Sequence, residues 1–68
     1  MKRKNLMKFR IDHDLTQEQL GNTLGVSTGY INQIELGKQN PSYKLLIKFK
    51  EIFKNEDVMK VFEKKGGK

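Results

Sequence analysis

Between Thr28 and Gln33 the chain reads Thr-Gly-Tyr-Ile-Asn-Gln, which groups hydroxyls and amides around a glycine and carries no charge. Neutral side chains of these types pair with particular base edges: an amide matches adenine, and a methyl group or ring packs on the thymine methyl. Arginine to guanine, the commonest specific contact, has no residue here to make it, so the stretch suits A·T pairs. Gln33 is the best candidate for adenine and Thr28 or Tyr30 for thymine, while Gly29 offers close backbone approach. Each has a second use: Tyr30 fits packing against the domain, Gln33 fits a solvated helix face, and Thr28 fits a cap one residue late.

Presenting such a face requires a short helix held at a defined angle. Thr16 and Ser27, eleven residues apart, each precede a helical apolar pattern. Thr16-Gln17-Glu18-Gln19 fits a capping box, with Leu15 and Leu20 at the positions of a hydrophobic staple. Leu20 and Leu24 then share a face, and Gly25 stands where a left-handed residue ends the helix. Val26 and Ile31 form a second staple around Ser27, and Ile31 and Ile34 continue the buried face until Gly37. Neither helix would persist alone at this length. Two short helices across a glycine-containing turn are the physical description of a helix-turn-helix.

The flanks must supply the rest of the core. Leu6, Phe9 and Arg10 share a face, which predicts an opening helix over about Lys4–Asp12 with Lys2, Arg3, Lys4 and Lys8 mostly outside and Asp12-His13-Asp14 as its exit. Periodicity turns Arg10 toward Leu6, where an unpaired guanidinium is costly, and Glu35 is the natural partner. Lys38-Gln39-Asn40-Pro41 reads as a loop, and Ser42 as the cap of a helix with the stripe Leu45, Leu46, Phe49, Ile52 and Phe53. Asn55 is placed to cap a last helix carrying Val58, Met59, Val61 and Phe62. The expectation is an all-α chain of five helices, one domain over residues 1–63, and a disordered basic tail over 64–68.

Charge and composition narrow the function classes. Fourteen Lys and Arg against eight Asp and Glu give +6 over 68 residues, and the pI near 9.7 favours a polyanionic partner. Without cysteine there is neither a disulfide framework nor a thiolate metal site, and a reducing cytoplasm is the expected setting. His13, beside Asp12, Asp14 and Glu18, reads as a surface group, so no metal or cofactor is expected. No apolar run reaches membrane-spanning length, and Met1-Lys2-Arg3-Lys4 leads into an amphipathic segment without a signal-peptide core, so a soluble, unexported protein is expected. No nucleophile stands beside a base and no glycine loop is built to cradle phosphate, so an enzyme is not expected.

Phe9-Arg10, Leu15-Thr16-Gln17-Glu18-Gln19-Leu20, Leu24-Gly25-Val26-Ser27, Ile31, Glu35, Gly37 and Pro41-Ser42 before Leu46 together resemble the phage-repressor, or Xre/Cro-type, helix-turn-helix family. The resemblance covers about Leu6 to Phe53. It implies a compact five-helix, lambda-repressor-like domain that binds double-stranded operator DNA, as a homodimer on a two-fold site, and represses transcription in a bacterial or phage setting. By that resemblance the recognition helix spans Thr28–Leu36 and reads bases with Thr28, Gly29, Tyr30 and Gln33. Gln17 would clamp a backbone phosphate, with Asn32, Lys38, Asn40 and Ser42 flanking the same groove, and Arg10 and Glu35 would form a structural ion pair. Three positions depart from the family: Gly21 replaces alanine at a helix-propensity cost of about 1 kcal/mol, Asp14 replaces a turn glycine, and Lys50 replaces a small residue. Lys44, Lys48 and Lys54 read as a solvated face. The alternative is an antitoxin-type protein whose last helix also captures a protein partner.

Overall fold

The computed structural model describes residues 2–64 and contains five helices, α1 (Lys4–Asp12), α2 (Gln17–Leu24), α3 (Thr28–Glu35), α4 (Tyr43–Ile52) and α5 (Val58–Val61). Among the described residues there is no strand. Residues 65–68 of the expected tail lie outside them.

Local chemistry sets most of the boundaries. Thr16 Oγ1 accepts from Gln19 N at 3.0 Å while Gln19 Oε1 accepts from Thr16 N at 2.9 Å, which closes the capping box. Ser27 and Ser42 accept from Tyr30 N and Leu45 N, each at 3.1 Å. A side-chain cap of this kind contributes roughly 1 kcal/mol. Gly25 ends α2 at φ 75°, and Asp14 turns the chain out of α1 at φ 57°, in the left-handed region that a family glycine would enter more readily. The last helix starts later than its sequence indicates: Asp57, two residues beyond Asn55, accepts from Lys60 N and caps α5.

The core gathers one face of every helix: Leu6, Phe9, Leu20, Leu24, Ile31, Ile34, Leu45, Phe49, Val61 and Phe62. Phe49 lies at its centre, with the rings of Phe9, Phe53 and Phe62 at centroid distances of 5.0, 5.0 and 5.1 Å. Tilted and edge-on contacts at such distances add to the burial of the rings themselves. Ile52, expected in this stripe, is 42% exposed. Lys50 is also outside, where its ammonium donates to the carbonyls of Lys54 and Glu56 and closes the C-terminal end of α4.

Gly21 corrects a sequence-based expectation. Its glycine is not simply a weak point of α2, because a Cβ built there would lie 2.7 Å from the Val26 carbonyl oxygen and 3.3 Å from that of Ser27. The turn crosses directly over Gly21, whose own carbonyl accepts from Val26 N at 2.8 Å. α2 and α3 therefore approach as closely as they do because position 21 has no side chain.

Candidate nucleic-acid interface

One side of α3 is buried and fixed, through Ile31, Ile34 and Glu35, and the opposite side is open. Thr28 and Gly29 are exposed, and Gln33 is half-buried. A Cβ at Gly29 would meet nothing within 4 Å, so the fold itself has no need of glycine there.

Behind this face runs a polar chain. Arg10 Nε donates to Glu35 Oε2 at 2.6 Å, Nη2 to Oε1 at 3.3 Å, and Nη1 to the Leu15 carbonyl at 2.9 Å. Glu35 is 2% exposed. Gln17 Nε2 donates to the same Glu35 Oε1 at 3.1 Å and to Asn32 Oδ1 at 3.2 Å. A carboxylate can only accept, so Glu35 dictates which end of the Gln17 amide faces inward. Gln17 then dictates the orientation of Asn32. Both amide hydrogens of Gln17 are engaged inside the protein, one of them by Asn32 Oδ1. Gln17, expected as a phosphate clamp, also links Glu35 to Asn32 within the domain.

A second constellation holds the loop after α3. Tyr30 is half-buried, and its hydroxyl accepts from Ser42 N at 2.9 Å and donates to the Asn40 carbonyl at 3.4 Å. The residue expected to read bases is therefore turned toward the loop. Ser42 is an exposed cap, Asn40 is exposed, and Lys38 is exposed with its backbone N–H donating to the Gln33 carbonyl at 3.0 Å. Lys44 and Lys48 are exposed, as expected of a solvated face, and line the hollow between Ser42 and the Gly25-Val26 turn.

Sequence reasoning missed Arg3. Expected outside, it is only 3% exposed. Its guanidinium donates to the carbonyls of Phe62 at 2.9 Å, Ile34 at 2.8 Å and Gln39 at 3.0 Å, and to Asn40 Oδ1 at 2.9 Å. Burial pushes its pKa down from the ordinary arginine value. Arg3, Leu6 and Arg10 stand at i, i+3 and i+7, so the helical spacing that turned Arg10 inward would have turned Arg3 inward too.

Comparison with known proteins points the same way as the geometry. A helix-turn-helix family profile matches residues 6–55. An uncharacterized HTH-type transcriptional regulator of Methanocaldococcus jannaschii is 48% identical over 58 residues, covering 81% of this chain and 88% of that protein. Two uncharacterized HTH-type transcriptional regulators of Archaeoglobus fulgidus are 40% identical over 58 residues and 37% identical over 51, covering 82% and 75% of this chain and 82% and 73% of theirs. All three are archaeal proteins, whereas the resemblance read from the sequence implied a bacterial or phage setting. No solved structure matches the chain significantly. With two capped helices across a tight turn, an open face on the second and a profile match over most of its length, this chain belongs to the helix-turn-helix family, of the Xre/Cro type.

Proposed function

We propose that the protein is a sequence-specific double-stranded-DNA-binding transcriptional regulator, a repressor, that lays the N-terminal half of α3 in the major groove. One observation carries this reading: α3 is anchored along its inner side while Thr28, Gly29 and Gln33 face outward, with a glycine the fold does not require. Gln33 reads adenine, Thr28 packs on a thymine methyl, and Gly29 lets the backbone approach, which favours A·T-containing half-sites. Tyr30 keeps the loop in register. Phosphates are met by Asn32, Lys38, Asn40 and Ser42, and the net charge of +6 adds a long-range field. The site of action is the cytoplasm, where a prokaryotic genome lies.

On a two-fold operator the protein acts as a homodimer. Val61 and Phe62 complete the core, but Tyr43 and Met59, each 78% exposed, and Ile47 at 42% flank an apolar groove between α4 and α5. Lys50 and Lys54 line it together with Glu51 and Asp57. Both signs on one patch are compatible with an isologous contact between two copies. The antitoxin-type reading gives the same groove to a foreign protein, and Met59→Glu separates the two. Loss of dimer on DNA supports the homodimer, and an unchanged oligomeric state supports the alternative.

Binding selection from random duplex DNA tests the central reading, with enrichment of an A·T-containing two-fold site as the expected result. On the selected site Gln33→Ala should relax preference at one position by about 1–3 kcal/mol. An equal loss on every sequence would remove Gln33 from base reading. Affinity should also fall steeply with added salt.

A further inference from the structure

Arg3 is a buried charge whose partners among the described residues include no carboxylate. Its four hydrogen bonds go to neutral oxygens: the carbonyl of Ile34 in the last turn of α3, that of Gln39 in the following loop, that of Phe62 after α5, and the side-chain oxygen of Asn40. Its backbone N–H donates to the Glu35 carbonyl at 2.8 Å. One residue therefore ties the end of the recognition helix, the loop beyond it and the C-terminal helix to the start of α1.

A guanidinium has donors and no acceptor. The Asn40 amide can meet it only through oxygen, so Nδ2 must point away from Arg3, and Asn40 is exposed. The Asn40 backbone is held from the other side by the Tyr30 hydroxyl. A free asparagine on a loop samples both amide orientations and several rotamers. This one is pinned at its oxygen and at its carbonyl, which turns its two N–H donors away from Arg3.

We propose that Arg3 is a positioning residue for DNA-backbone binding, which fixes the Asn40 amide nitrogen outward as a donor to a phosphate oxygen. The proposal rests on the DNA-binding reading above and adds to it a residue that is itself buried away from DNA. Arg3 acts through polarity as well as packing. A side chain that kept the charge and the carbonyl contacts but lost the reach to Asn40 would free the amide to turn.

The test is a double-mutant cycle read by fluorescence anisotropy on a fluorescein-labelled mixed-sequence duplex at fixed salt, because phosphate contacts carry no sequence information. Asn40→Ala is expected to weaken binding about tenfold, with the salt dependence unchanged because no charge is lost. Arg3→Lys is expected to cost about the same, and the double variant no more than either alone. Losses that multiply in the double variant, or wild-type binding by Asn40→Ala, would overturn the proposal. Should Arg3→Lys fail to fold, Asn40→Asp decides it. That variant keeps an oxygen toward Arg3 and gains an ion pair, so it should melt no lower than wild type and yet bind the duplex more weakly than wild type by at least the Asn40→Ala factor. Wild-type affinity in Asn40→Asp would refute the positioning role. Failure of the unaltered protein to bind any duplex would instead overturn the DNA-binding reading, and the present proposal with it.

Discussion

The two ends of α3 are built on different principles. Its C-terminal end is held by two arginines from α1 and its N-terminal flank: Arg10 grips the Glu35 carboxylate, and Arg3 grips the Ile34 carbonyl. Its N-terminal end carries a single serine cap and then Thr28 and Gly29, both exposed. A helix fixed at its tail and left bare at its nose is aimed without its exposed first turn being covered. The tail itself divides again. Arg10 has a counter-charge in the same dry space, whereas Arg3 disperses its charge over neutral carbonyls, which no single substitution can turn into an isolated buried charge.

That contrast sets an order of expected effects. Glu35→Ala should be the most damaging, at about 3–5 kcal/mol in urea unfolding, because it strands the Arg10 guanidinium and releases Gln17 as well. Combining Arg10→Met with Glu35→Leu should recover much of the stability lost in Arg10→Met alone; a double variant no better than that single change would show the pair to be uncoupled. Arg3→Met should cost less, about 2–3 kcal/mol, since it leaves carbonyls short of donors but no charge unpaired. If it proved worse than Glu35→Ala, the contrast between the two arginines would collapse. At the junction of α2 and α3, Gly21→Ala should lower stability by about 1–3 kcal/mol through the clash with Val26, opposite in sign to its helix-propensity gain. Gly29→Ala, the smallest effect, should raise stability by up to about 0.5 kcal/mol, since Gly29 lies in the first turn and not the interior of α3, while weakening binding to a selected duplex. A variant that gained stability and kept full affinity would show that the nose of α3 does not approach DNA closely.

Features set by neighbours in sequence were readable from the chain itself. The Thr16 box, the Ser27 and Ser42 caps, the left-handed Gly25 and the inward turn of Arg10 all follow from residue type at short spacing. Gly21 was read as a propensity cost because propensity is local, whereas its real constraint is a carbonyl five residues on that only the tertiary turn brings overhead. Helical spacing marks Arg3 as inward-facing, but three of its four acceptors are backbone oxygens of distant segments, which leave no mark in a sequence. Tyr30 was open between two uses, and a loop N–H twelve residues away decided its orientation. Asn55 and Asp57 are both good caps, and Asp57 is the one that accepts from Lys60 N.

The bond from Arg3 to the Phe62 carbonyl closes 59 positions of chain. Closing so long a loop loses more entropy than any contact within the α2–α3 pair, whose partners lie close in sequence, so it belongs late in the order of folding events. The helix pair can assemble first, while the loop carrying Asn40 gains its final register only when the two flanks of the domain meet. Arg3→Met is then expected to speed unfolding and leave the refolding rate nearly unchanged, as a contact formed after the transition state should. On a ribosome the same ordering separates two moments: α2 and α3 can pair once α3 has emerged, and the loop beside them is set only after α5 has followed.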